Sequence, residues 1–457
     1  MIAITFSEAA KACGGELING EDIGGRLISG VFIDSRKTTA NSLFVALKGE
    51  RVNGHDFIEK AFENGACCAL CENETKLCHI RVKDSFEAMK ALAAYIRKKS
   101  GVKVIAVVGS VGKTSTRRMV SCVLSQRFRV HSTEGNFNNE YGVPQTLFTL
   151  KKEDEVSVLE LGISHFGEMD RLGAITEPDY AIYTNIGNMH LENLIDREGV
   201  LRAKTELIPH MKASGKLFFN GEDDKLRSYR AELPVIFFGM DGKYAIHPEN
   251  IVQNGIESVE FDLCFAGGER VHVHAPFIGR HMIMNAVAAA NAAIEFGLTP
   301  DEIRRGIESY SPVGHRGRIL KHGGITIIDD CYNAGPDSVR ASVSAIAGEG
   351  RRIALLGDML ELGEKTDMLH YELGKFCAGR LDGLIAIGDK TRFVAKGAID
   401  GGAESVHYIS RQSAAEFVNN NLREGDILLV KASRGMQFEK IIDAIIAGKT
   451  SRQCEEN

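Results

Sequence analysis

The sequence predicts an α/β protein of three domains: a small N-terminal α/β module (1–82), a central domain on a largely parallel sheet (83–312) and a C-terminal Rossmann-like, doubly wound domain (313–457). Three observations lead there. A chain of 457 residues is too long for a single core. Short apolar runs alternate with helical patterns over most of its length, as in sheets whose parallel strands are joined by helices. And VVGSVGKTSTRRM, from Val107 to Met119, carries an apolar strand through a glycine turn into a helix.

Each element follows from its pattern. To about Val82, the strands LISGVFID and SLFVAL and a helix around Asp56 to Asn64 make the first module. GACCALC reads as a short buried strand in which cysteine serves as a small hydrophobe; the alternative is a metal cluster of Cys67, Cys68, Cys71, Cys78 and His79. KDSFEAMKALAAYIRKKSG gives a helix with an apolar face and a basic end, and VKVIAVVGS opens the central sheet, which VSVLELG, YAIYTNIG, GKLFFNG and VIFFG continue. SPVGHRGRI, beginning at Ser311, has the proline and glycines of a connection. Beyond it ITIIDDC, RIALLGDM, GLIAIG, SVHYI and DILLVKAS read as strands between helices such as SVRASVSAIAG, with functional groups expected at the C-terminal strand ends. The tail SRQCEEN reads as frayed.

Composition narrows the class. A formal charge of -6 without a Lys/Arg tract disfavours nucleic acid and anionic lipid as partners. Nowhere do about 18 apolar residues run together, and the N-terminus lacks the pattern of a secretory leader, so a cytoplasmic protein without membrane insertion is expected. Its ten scattered cysteines are then expected as free thiols.

The glycine turn carries the chemistry. Backbone N–H groups of the turn and of the helix start face an anion, Lys113 adds a point charge, and Thr114 offers a hydroxyl to Mg²⁺. Only two residues separate Gly109 from Gly112, where the common phosphate loop has about four. The shortened form, GxxGK[ST], points toward ATP-dependent amide-bond ligases. Downstream, Glu160 closes an apolar strand, and Asn185 and His190 follow the next one. Taken singly, Glu160 reads as a helix cap and His190 as a solvated loop residue; beside the phosphate loop and Thr114, this carboxylate and imidazole read instead as ligands of a divalent metal over the phosphates. STEGNFNNEYGVPQTLF is a shaped turn whose amides could also meet a polar substrate.

GSVGKTST, TEGNFNNEYGVP, LELGISHFGEM, NIGNMHLENL, DDCYNAGPDS, LLGDMLELGE and KASRGMQFE occur in the order of the Mur ligases, and the chain resembles that family over essentially its whole length. Within it, GNFNNEYGVP and GDMLELGE fit the dipeptide-adding branch, and the DNPR motif of the amino-acid-adding branch is absent. The resemblance implies an ATP-dependent ligase, a monomer, that joins D-Ala-D-Ala to UDP-N-acetylmuramoyl tripeptide through an acyl phosphate. It implies ATP on Gly109, Ser110, Gly112, Lys113, Thr114, Ser115, Asn285, Arg318 and Asp330, and two Mg²⁺ ions on Thr114, Glu160, His190 and Lys204. Lys113, Glu160, His190 and Lys204 form the implied catalytic set.

The resemblance alone raises the reading of Lys204 as a carbamylated lysine. From the residues alone it is an exposed helical lysine beside Glu206, and carbamylation needs a neutral amine, disfavoured at an ordinary pKa of about 10.4. The resemblance places the UDP end of the substrate on Ser35, Arg36, Asn53 and His55, and the peptide on Asn136, Asn138 and Asn139. Asn333, Asp358, Glu361, Lys431 and Arg434 are implied to meet peptide or dipeptide. Val108, Met282, Cys331, Gly335 and Ala432 depart from the family pattern without removing a charged group. They leave open a divergent ligase with another acceptor or a non-catalytic ATP-binding regulatory paralogue. A folylpolyglutamate-type ligase is a further alternative, one without the N-terminal UDP module.

Overall fold

The computed structural model describes residues 1–49 and 51–455, with side chains to residue 448. Contacts divide the chain into two compact units: Met1–Val108, Phe128–Ala181 and Lys204–Lys216 form the first, and Gly109–Arg127, Ile182–Ala203 and Leu217–Asn457 the second.

The first unit starts with a five-stranded mixed sheet in the order Glu16–Ile18, His79–Arg81, Ala66–Cys71, Ser42–Val45 and Val31–Phe32. Phe44, Ala46, Ala66, Ala69 and Cys71 pack against Ile58 and Ala61 of the helix Ile58–Glu63. GACCALC is thus the buried strand expected of it. LISGVFID yields only Val31–Phe32, because Asp34 then caps a 3-10 turn over Ser35–Lys37. The helix Ser85–Ser100 has clear stop and start signals: the Asp84 carboxylate accepts the N–H groups of Phe86 and Glu87, and Gly101 ends it at φ 67°. Three parallel strands follow, Lys103–Val108, Val130–Ser132 and Val156–Glu160, in a register that sets Val107 opposite Glu160. Glu160 therefore leaves its strand at the C-terminal end, as the sequence predicts.

The second unit holds the helix Lys113–Leu124, the parallel pair Lys216–Asn220 and Val235–Phe238, and the alanine-rich helix Arg280–Glu295, buried over most of its length. It also contains an antiparallel sheet the sequence analysis did not anticipate, Ile246–Asn254, Ser258–Phe265 and Arg270–Ala275. Its signal was present: Val259, Phe261 and Leu263 alternate with Glu260 and Asp262 at the strand period.

The C-terminal sheet has the order Arg318–His322, Ile325–Asp329, Ile427–Lys431, Arg352–Gly357, Gly383–Ile387 and Val406–Tyr408. All neighbours after the first antiparallel pair are parallel. Alternate residues feed opposite cores. Ala354, Leu356, Leu384 and Leu429 pack under the helices Pro336–Ala345, Thr366–Cys377 and Thr391–Asp400. Leu355, Ile385, Leu428 and Val430 pack under Ala414–Asn421 and Glu439–Glu455. Each fully buried Leu or Ile contributes about 1.5–3 kcal/mol, so burial on both faces is what makes these strands read as unbroken apolar runs. The tail expected to fray from Ser451 stays helical to Glu455, continuing the ladder of the last helix; residues 456 and 457 lie outside the described residues.

Candidate active site

The glycine turn is built by close approach. A Cβ on Gly109, at φ 154°, would run into Thr184 Oγ1, and Gly112 caps the helix Lys113–Leu124 at φ 84°, a left-handed conformation that costs glycine nothing. Thr184 Oγ1 donates to Val111 O at 2.6 Å, and the Ser110 hydroxyl accepts Gly187 N–H at 2.9 Å. The expectation that the turn's own N–H groups face an anion needs correction at two of them. Ser110 N–H donates to Asn185 O and Val111 N–H to Asn185 Oδ1, both at 3.0 Å. Asn185 therefore staples the turn, and anion-binding donors come from the helix start, whose first N–H groups have no carbonyl one turn back.

Lys113 is folded onto the turn, its Nζ donating to Gly109 O at 2.8 Å and Ser110 O at 3.3 Å. No acidic residue lies in the first turn of its helix. This donor set fits a polyphosphate: a cation, a helix N-terminus and backbone bent closely by glycine. Thr114 is buried, Ser115 lies beside the Tyr310 hydroxyl, and Thr116 Oγ1 donates to Asn285 Oδ1 at 2.9 Å. Asn285 in turn donates from Nδ2 to Met282 Sδ at 3.4 Å, so the methionine at a departing position serves as the amide's partner.

The carboxylate of Glu160, 2% exposed, accepts from Asn138 Nδ2 at 2.8 Å, and its N–H donates to Thr133 Oγ1. Gly162 allows this approach, because a Cβ there would sit 3.0 Å from the Asn138 amide. Glu160 is thus a buried carboxylate oriented by Asn138. A carboxylate oxygen of this kind is a hard donor that suits Mg²⁺. Asn136 is exposed, and Asn139 Oδ1 accepts the N–H groups of Tyr141 and Gly142, capping the next helix.

Lys204 corrects the residue-level expectation. It is 1% exposed, not solvated, and Glu206 turns away to accept Gly167 N–H at 2.9 and 3.1 Å. His190, at φ 54°, holds its Nδ1 2.6 Å from Glu361 Oε2, which keeps the Glu361 carboxyl below its usual range.

Several other expected residues are tied within their own elements. Asp330 Oδ2 accepts from Lys431 Nζ and Ser342 Oγ, both at 2.6 Å, while Arg318 lies nearest Asp329, at 3.8 Å. Asp358 Oδ1 accepts the N–H groups of Lys390 and Thr391. Asn333 is exposed and its Oδ1 accepts Ala334 N–H; Arg434 pairs with Glu439 at 3.0 Å. In the N-terminal module Ser35 is buried and the Arg36 fork grips Asp34 through two 2.9 Å bonds, drawing that carboxyl down to about 2. His55 bonds Asn53 Oδ1 through Nδ1 at 2.9 Å and accepts Glu72 N–H at Nε2, and burial lowers its pKa. Sequence reasoning missed Thr184, the residue that dictates Gly109; a threonine directly after an apolar strand was its only signal.

Three family models match in succession: Mur ligase family, catalytic domain, at residues 27–109; Mur ligase middle domain at 107–293; and Mur ligase, glutamate ligase domain, at 315–434. The chain is 34% identical to the UDP-N-acetylmuramoyl-tripeptide--D-alanyl-D-alanine ligase of Bacillus subtilis, across 99% of this chain and 100% of that one. It is similar to a crystal structure of MurF from Acinetobacter baumannii at 30% identity and TM-score 0.89, covering 97% and 99% of the two chains. A MurF ligase from Thermotoga maritima in complex with ADP is similar at 27% identity and TM-score 0.84, covering 93% and 98%.

Proposed function

The chain belongs to the Mur ligase family, and we propose on that premise how its residues share the work of an ATP-dependent ligation. The protein is a ligase that joins D-Ala-D-Ala to UDP-N-acetylmuramoyl tripeptide in peptidoglycan precursor synthesis. The tripeptide's terminal carboxylate attacks the γ-phosphate of ATP and ADP leaves. The dipeptide amine then adds to the acyl phosphate carbonyl, and phosphate departs as the tetrahedral intermediate collapses. Both steps accumulate negative charge, so acceleration comes from positioning and electrostatics.

Lys113 and the start of its helix hold the β- and γ-phosphates. Thr114, Glu160 and His190 would hold Mg²⁺, and Lys204, as a carbamate, a second ion; the metal supplies charge neutralisation on the transferring phosphoryl group. Asn138 orients Glu160 through their 2.8 Å bond. Asn285, Arg318 and Asp330 serve ATP, and Ser35, Arg36, Asn53 and His55 serve the UDP end. The remaining asparagines, with Asp358, Glu361, Lys431 and Arg434, serve the peptide ends. The division into 1–82, 83–312 and 313–457, a monomeric state and a cytoplasmic location belong to the same proposal. Among the described residues no helix is long and apolar enough to cross a membrane.

The shortened turn carries this assignment, because it demands glycine sterically at Gly109 and ends in a helix start with a lysine. The test is phosphate release and product mass with each substrate alone and with both. Release that needs both UDP-muramoyl tripeptide and D-Ala-D-Ala is the expected result. Release with another acceptor, or ATP binding without turnover, would replace it. Carbamylation is tested separately: turnover of Lys204→Ala should be restored by a short-chain carboxylate and wild-type turnover should rise with bicarbonate.

A further inference from the structure

The antiparallel sheet Ile246–Asn254, Ser258–Phe265 and Arg270–Ala275 buries one face and leaves the other rich in histidine, carboxylate and thiol. Register places His247 directly opposite Cys264, with Glu249 two residues along the same strand and so on the same face. We propose that His247, Glu249 and Cys264 form a binding site for a divalent transition-metal ion of the zinc class, separate from the ATP machinery.

Geometry carries it. One ligand atom from each residue lies within 4.8 Å of the others, a span that a single ion can bridge. His247 Nδ1 donates to Tyr244 O at 3.0 Å, so in the neutral ring Nε2 is the nitrogen with a lone pair for a metal. That nitrogen faces Glu249 Oε1 at 3.4 Å. Two acceptors opposed in this way repel each other unless a proton or a cation lies between them. Arg270 holds the other carboxylate oxygen, Oε2, at 2.8 Å, so Glu249 is oriented with Oε1 toward the histidine. Asp262 stays out of the set, its oxygens being engaged by Asn250 and His272.

The donor set selects the metal. One thiolate, one imidazole and one carboxylate suit zinc with water as fourth ligand; magnesium and calcium want oxygen alone. Binding replaces the Cys264 thiol proton with a sulfur–metal bond, and the proton goes to solvent. The ion then cross-links neighbouring strands, a structural role.

Metal-free full-length protein titrated with Co²⁺ and Zn²⁺ tests this. Wild type should show a thiolate-to-Co²⁺ charge-transfer band and a Tm that rises with Zn²⁺, and Cys264→Ser and His247→Ala should each lose both. Glu249→Gln should weaken Zn²⁺ by about tenfold or more while leaving circular dichroism and ligase turnover unchanged, which separates lost binding from lost folding. No band in wild type, or a band undiminished in Cys264→Ser and His247→Ala, overturns the proposal; the latter places the ion on other thiols.

Discussion

Single atoms decide the glycine turn. Alanine at Gly109 must displace Thr184, whose hydroxyl in turn holds Val111 O, so the strain reaches both sides of the turn. Gly109→Ala should lower stability by roughly 1–3 kcal/mol in denaturant unfolding and weaken ATP binding in calorimetry. Lys113→Ala should leave the fold intact and reduce turnover roughly 10²–10³-fold, since it removes a cation from the developing phosphoryl charge. Full turnover in that variant would remove the lysine from the mechanism. Lys113 was legible because its neighbours spell out a turn; Lys204 was not, because a lysine followed by Thr205 and Glu206 has the pattern of a solvated helix. Only the packing around it, which leaves 1% of its surface exposed, distinguishes it.

Elements hold these residues in place through their ends. The helix Ser85–Ser100 begins at an Asp84 carboxylate that accepts two N–H groups at 2.8 and 2.9 Å, and it concludes with Arg97, Lys98 and Lys99 at the negative end of its dipole. Asp84→Ala should cost about 1 kcal/mol in thermal or urea unfolding without changing KM for ATP. Asp358 performs a similar task for the helix Thr391–Asp400, accepting from Lys390 and Thr391. Its position at a strand end satisfied the rule that places functional groups there, yet the same position is where a helix start needs a carboxylate. Periodicity located the central and C-terminal strands well. It failed for the antiparallel sheet because histidines and acids on the open face masked the alternation of Val259, Phe261 and Leu263.

At the scale of the molecule, two buried histidines and a half-buried one set the acid limit. His131 bonds Ser157 and the Thr146 carbonyl, His370 accepts Met359 N–H, and His55 accepts Glu72 N–H; burial lowers the pKa of all three. A histidine whose folded pKa lies below its unfolded value of about 6.5 gives its full stabilisation above that pH and loses it as the pH falls, because the unfolded chain takes up the proton first. Tm should therefore drop between about pH 7 and pH 5. Carboxylates such as Asp34 and Glu302, drawn down to about 2, lose their contribution only in stronger acid. His370→Gln, which keeps an acceptor without a titrating ring, should flatten part of the slope in calorimetric scans across that range.

The amino-acid order by itself determined the three-domain α/β plan, the strand–turn–helix of the phosphate loop and the family, because each is written in short-range spacing: period two, period 3.6, or two residues between glycines. Tertiary structure decided what spacing cannot carry. It turned Ser110 and Val111 toward Asn185, joined Asn138 to Glu160, sank Lys204 and set His247 against Cys264. Each of those outcomes depends on which distant side chain occupies the neighbouring volume, and hydrogen-bond partners and dielectric belong to that volume rather than to the residue.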